Sequence, residues 1–114
     1  MRRRSLKTDA IVKRMAKART DFRLEMEVCN SCGVSCVGDV HEICSGQNRL
    51  NAYQQRAAWL HLCRKCHNDI QNWPIEKQLA LKKEVDHDYY SLSAINRILA
   101  PRRIYEEDVA KWEM

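Results

Sequence analysis

The sequence has no long apolar run. No segment approaches the roughly 18 to 20 apolar residues needed to span a bilayer, and no stretch of signal-peptide length follows the basic residues at the start. Internal repeats and low-complexity tracts are absent too, which excludes a repeat array. There are only two prolines, Pro74 and Pro101. Each closes a helical pattern, because proline disfavours helix at the residue before it. Nothing points to an oxidising compartment, so the six cysteines are read as thiols and metal ligands before disulfides. The chain is expected to be soluble and cytoplasmic, with no membrane partner. Its 114 residues leave room for one domain with a modest core. A metal staple is a common route to stability at that size.

Four of the cysteines form two Cys-x-x-Cys pairs, Cys29-Asn30-Ser31-Cys32 and Cys63-Arg64-Lys65-Cys66, the latter followed by His67. A tight knuckle of this form places both sulfurs on one side of an ion, at about 2.3 Å in a four-coordinate structural zinc site. Thirty residues separate Cys32 from Cys63, more than a compact ribbon needs. The insert is therefore expected to fold into something of its own, held at its base by zinc. Cys36 and Cys44 are left over and read as small buried thiols.

The net charge is +5 and uneven. Residues 1–28 carry nine Lys or Arg against four Asp or Glu, so the excess sits at the N-terminus. Concentrated positive charge favours a polyanion, above all nucleic acid; the blander reading is a solvated helix face.

Arg2, Arg3 and Arg4 read as a basic arm. From Thr8 to about Glu27 the apolar residues Ile11, Met15, Ala18, Phe22 and Met26 trace one face of a helix. Thr8 is the expected N-cap, with Asp9 at the positive helix end. Lys13, Arg14, Lys17 and Arg19 lie mostly off that seam, offering a face for a phosphate backbone. Val34 to Cys36 and Val37 to Ile43 read as short strands turning at Gly38-Asp39. Residues 45–48 read as a loop, 49–58 as a helical excursion and Trp59 to Leu62 as a strand. A helix is expected from Arg64 to Asn72. The remainder is helical: Glu76 to Val85, Ser91 to Ala100 and Glu106 to Trp112, with a polar break holding His87. Three stretches of one compact domain result: a basic arm and helix (1–27), a metal-bound core (28–73) and a helical extension (74–114).

His41 falls on an expected strand and His67 on an expected helix, joined by the knuckles. Two imidazoles brought together this way can share a second metal ion. Near a basic surface, such a site has the parts to hydrolyse a phosphodiester. The blander readings are a strand histidine without a metal and a helix-end histidine bonded near the zinc.

At these residues the sequence resembles the HNH endonuclease family in its zinc-ribbon, double Cys-x-x-Cys form. The likeness rests on Cys29 to Cys32, on Val40-His41-Glu42-Ile43 and on Leu62-Cys63-Arg64-Lys65-Cys66-His67, and covers about residues 28 to 70. The tail, with Gln78-Leu79-Ala80-Leu81-Lys82-Lys83, looks more loosely like small HNH-like proteins of tailed phages. The resemblance implies an α+β, mostly helical fold: a zinc-stapled ββα-metal finger flanked by the basic helix and C-terminal helices. It implies Cys29, Cys32, Cys63 and Cys66 as structural Zn²⁺ ligands. His41 and His67 would hold a catalytic divalent ion, Mg²⁺ or another, with Val40 and Ile43 packing under the site. Glu42 stands where the family has its general-base histidine, and a carboxylate is the weaker base by about two pKa units. A shifted register would make His41 the base and Glu42 a ligand. The family's middle asparagine falls at Ala58, with Asn48 or Asn51 as substitutes, and the position of a further histidine in some members is Gln71.

The activity implied is a metal-dependent DNA endonuclease or nickase, phage-encoded and acting in the host cytoplasm. Catalytic residues would be His41, Glu42 and His67, with Lys13, Arg14, Lys17, Arg49, Arg64 and Lys65 on phosphates. The alternative is a decayed HNH-derived zinc finger that binds DNA, or an adaptor among phage packaging or recombination proteins.

Overall fold

The computed structural model describes residues 6–44 and 49–113. The expected basic arm at residues 2–4 and the loop at residues 45–48 lie outside them, and the side chain of Arg49 is likewise not described. The order is α1 (Leu6–Met26), β1 (Asp39–Glu42), α2 (Arg49–Tyr53), β2 (Trp59–Leu62), α3 (Arg64–Ile70), α4 (Ile75–Val85), α5 (Leu92–Leu99) and α6 (Glu106–Ala110). Short 3₁₀ turns occupy Arg56–Ala58 and His87–Tyr89. The fold is thus α+β and mostly helical, with one small antiparallel sheet. No helix among the described residues is long and apolar enough to cross a membrane.

The sheet differs from the expected hairpin. β1 pairs not with Val34 to Cys36 but with β2, in the register Asp39↔Leu62, Val40↔His61, His41↔Leu60 and Glu42↔Trp59. Val34 to Cys36 contributes only a single bridge, Val28↔Ser35. The physical reason lies in burial. β2 is wholly buried, and so offers β1 an apolar partner that the exposed residues 31–35 cannot. Gly38 makes the pairing possible, because a Cβ there would run into the Leu62 carbonyl oxygen.

α1 starts at Leu6, ahead of the expected cap, so Thr8 and Asp9 fall in its first turn. Ile11 and Phe22 are buried and Met15 and Met26 half-buried as the periodicity predicts, whereas Ala18 is exposed. Arg19 takes the inward place beside it. Its guanidinium stacks on the Tyr53 ring, 3.9 Å from the centroid, instead of joining the basic face.

The core draws on all three stretches of the chain. Phe22 of α1 meets Trp59 of β2 edge to face at 5.4 Å, and both pack in one cluster with Leu60, Ile70, Leu79, Ile95 and Val109. Ser91 caps α5 by accepting from the Ala94 N–H at 3.1 Å. Asn96 brackets Ile104, accepting its N–H at 2.7 Å and donating to its carbonyl at 3.0 Å, which pins the chain after Pro101.

One polar network crosses this core. Lys82 on α4 is fully buried; its Nζ donates to the Trp59 carbonyl at 2.8 Å and to Asp86 at 2.6 Å. Arg56 bridges Asp86, at 3.0 Å, to Glu25 at 2.7 Å. The network ties α1, the turn before β2 and the end of α4 to one another.

Candidate metal centre

The four expected cysteines converge. The Sγ atoms of Cys29, Cys32, Cys63 and Cys66 all lie within 4.8 Å of one another, and those of Cys32 and Cys63 are 3.8 Å apart. A tetrahedral zinc with Zn–S bonds of about 2.3 Å requires sulfur–sulfur edges of roughly 3.8 Å. All six cysteines are free thiols.

Local structure explains the convergence. In the first knuckle Gly33, at φ +79°, turns the chain and its N–H returns to the Cys29 carbonyl at 2.9 Å. Cys32 N–H points at the Cys29 sulfur, 3.5 Å away. In the second, Cys63 stands at the N-cap of α3 and Cys66 lies in its first turn. His61, fully buried, locks the two knuckles together. Its Nε2 accepts from the Gly38 N–H at 2.8 Å and its Nδ1 donates to the Val28 carbonyl at 2.8 Å.

The charge of the cluster asks for a cation. Burial works against the Cys29 thiolate, but N–H groups of Cys32, Cys63 and Ser31 and the Cys32 thiol bring it down to about 6. Burial and the neighbouring thiols push Cys66 up to about 12. Four thiols this close ionise together only around a positive ion, and the donor set fits zinc. Cys44 lies elsewhere in the core, buried and pushed up to about 11. Cys36 is half-buried beside the cluster, with its thiol raised by burial and by the nearby sulfurs.

The two histidines also meet. The rings of His41 and His67 lie edge to face, 5.3 Å between centroids. At imidazole–metal bonds of about 2.0 to 2.1 Å, two rings holding one ion sit no more than roughly 6.5 Å apart. The strand alternation sends Asp39 and His41 the same way, toward α3. There Asp39 Oδ2 accepts from His67 Nδ1 at 3.1 Å and from Arg64 Nε at 3.1 Å. With Nδ1 donating to a carboxylate, His67 keeps its lone pair on Nε2. Burial disfavours the charged form of His41, and the His67 ring beside it acts the same way; together they outweigh the hydrogen bond that His41 donates to Gln78 and the attraction of the Glu42 carboxylate, so His41 titrates below the usual imidazole range. Among the described residues, no group of three or more His, Cys, Asp or Glu other than the cysteines has ligand atoms close enough to enclose an ion. Any cation on the two rings would draw its remaining ligands from water or a bound phosphate.

No family model, no curated protein and no solved structure matches the chain.

The other expected site residues are spread out. Glu42 faces α1, where Arg19 Nη2 lies 3.7 Å from its carboxylate and both side chains are mostly buried. Ala58, at the expected asparagine position, is buried in the turn before β2 and receives the Ile43 N–H at 2.7 Å through its carbonyl. Of the two substitutes, Asn51 is exposed and Asn48 lies outside the described residues. A cleft of about 520 Å³ runs past Arg19, His41, Glu42, His67, Gln71 and Gln78. A second groove of about 430 Å³ shares Arg19 and His67 with it and adds Arg23 and Arg64. Of the expected phosphate contacts, Arg64 borders this groove, while Lys13, Arg14, Lys17 and Lys65 are exposed. Lys17 is engaged with Asp21 at 2.7 Å and Arg14 with Gln54 at 3.3 Å.

Three polar residues at the site were not singled out from the sequence. Asp39 was legible in principle, two residues from His41 on the same strand face. Arg23, whose Nε donates to the Gly38 carbonyl at 2.7 Å, and Gln78, against His41, carried no local signal.

Proposed function

We propose that the chain is a metal-dependent DNA endonuclease or nickase of the HNH-like, ββα-metal kind, hydrolysing phosphodiester bonds. The observation that carries the proposal is the 5.3 Å approach of His41 and His67, with His67 anchored at its other nitrogen by Asp39. Supporting it, the elements around the pair follow the order strand, excursion, strand, helix, stapled at the base by the four-cysteine cluster. An arginine-lined groove beside the pair offers phosphates a path to it.

In this reading Cys29, Cys32, Cys63 and Cys66 hold a structural zinc, and His41 and His67 hold a second divalent ion. Imidazole donors suit zinc, iron or nickel best, and of the ions that prefer oxygen ligands manganese takes them more readily than magnesium. A cation bound there would neutralise charge on the scissile phosphate and supply an acidified water. Arg64 and Arg23 line the path of the backbone, and Lys13, Lys17 and Lys65 add longer-range, salt-sensitive attraction. His41 also remains the alternative proton acceptor, because Arg19 already engages the Glu42 carboxylate.

That ion pair is the one observation favouring a second reading, a zinc-pinned DNA-binding or adaptor module without turnover. Nicking of supercoiled plasmid under a series of divalent ions separates the two. The wild type nicks, and His41→Ala and His67→Ala each abolish nicking while plasmid binding persists. Parent-like cutting by both variants would remove the histidines from the mechanism. An inert parent that gains cutting through Glu42→His would be a decayed nuclease. An active parent that loses it through Glu42→Ala would make Glu42 functional.

A further inference from the structure

Gln78 projects from α4 into the same cleft and is almost fully buried. Its amide nitrogen donates to the Trp73 carbonyl at 3.1 Å and lies 3.4 Å from that of Ile70, at the end of α3 and in the turn beyond it. Two acceptors on one side fix which end of the amide is nitrogen. The other end, Oε1, then lies 2.8 Å from His41 Nε2. An amide oxygen only accepts, so the hydrogen of that bond belongs to His41 Nε2. A neutral imidazole carries one N–H, and its lone pair is left on Nδ1.

We propose that Gln78 is a positioning residue that fixes the tautomer of His41 and so makes Nδ1 the atom offered to a cation or an attacking water. The inference deepens the nuclease reading and rests on it for its functional consequence; the tautomer itself does not. Gln78 has a rigid mount, since Leu79 and Lys82 beside it on α4 are fully buried. The carbonyls that orient its amide lie at the end of α3, the helix that carries His67, and in the turn just beyond it. One side chain therefore couples the ring orientation of His41 to the helix of its partner. The two rings come out complementary: Asp39 takes the Nδ1 hydrogen of His67, and Gln78 takes the Nε2 hydrogen of His41.

The test is the ¹⁵N spectrum of the histidines in zinc-loaded, full-length protein at about pH 8, where protonated and lone-pair ring nitrogens are distinguished by shift. The wild type should show His41 as the Nε2–H tautomer. Gln78→Glu, which keeps an oxygen at the same reach, should retain it. Gln78→Met, similar in volume without that acceptor, should give a mixture, and kcat for nicking should fall by about tenfold or more with KM for plasmid unchanged. An Nδ1–H tautomer in the wild type overturns the inference, as does a single Nε2–H tautomer in Gln78→Met. Should Gln78→Met fail to fold, the wild-type and Gln78→Glu spectra still decide. A wild type that never nicks but shows the Nε2–H tautomer would overturn the nuclease reading and leave this assignment standing.

Discussion

At the residue scale, the proposed site consists of ring nitrogens and the groups that hold them. His67 is aimed by a carboxylate that is itself shared with Arg64. Asp39→Asn leaves the shape intact but replaces a charged acceptor with a neutral one. Groups that orient a metal-bound histidine are worth about 10–100-fold in affinity or activity when altered. We therefore expect Asp39→Asn to weaken manganese binding and plasmid nicking by about that factor, without loss of the structural zinc. Unchanged binding would mean that Asp39 serves Arg64 alone. The cysteine spacing and the position of His41 and His67 were legible because they are local patterns with fixed chemistry. Asp39 needed only the two-residue strand period. Gln78 was not legible: its role comes from α4 packing across the end of α3, and no spacing in the sequence records that. Arg19 was misread for a related reason, since helical periodicity cannot anticipate that a guanidinium will be drawn inward by Tyr53 and Glu42.

At the element scale, the helices followed their apolar spacing and their prolines, and α3 to α6 begin and end close to the expected residues. The sheet did not. Strand character at Val37 to Ile43 was visible, but the choice of partner depended on which segment could be buried against it, and that is decided by β2 and the core beneath. The sequence offered α4 as a plain helix, yet it also buries Lys82 against the Trp59 carbonyl of β2. Burial outweighs the bonds to Asp86 and brings the Lys82 ammonium down to about 8. The same contacts act oppositely on the partner. Burial pushes Asp86 up, but the bonds from Arg56 and Lys82 overcome it and hold the carboxyl below its usual range. For a base whose folded pKa is depressed, the cost of burying the charge is fully present below the folded value. It is relieved as pH rises toward the unfolded value near 10.5. The stability of the wild type relative to Lys82→Met should therefore rise between about pH 8 and 10.5. Urea unfolding across that window checks it. A fall over the same range would mean that the bond to Asp86 outweighs burial.

At the scale of the whole molecule, a modest core is stapled by the sulfur cluster, and the histidine pair depends on both. The first knuckle leads toward β1 and the second starts α3, so joining the two knuckles is expected to help hold the 5.3 Å ring separation. Zinc binding to such sites contributes free energy to folding outright, about 10–16 kcal/mol in small zinc peptides. Stripping the metal with a strong chelator should melt β1, β2 and α3 in one transition, seen by circular dichroism, and abolish nicking. Cys36→Ser and Cys44→Ser should each retain one zinc per chain, whereas Cys63→Ser should lose it. Loss of zinc in either of the first two would redraw the ligand set.

The central claim is that the zinc-stapled fold brings His41 and His67 onto one hydrolytic cation. Its most direct test is a crystal of the zinc-loaded protein soaked in manganese, with anomalous data collected at the manganese edge. The account predicts a manganese peak bound to Nδ1 of His41 and Nε2 of His67, separate from a zinc-filled four-sulfur site. A filled zinc site with no manganese between the rings would contradict it.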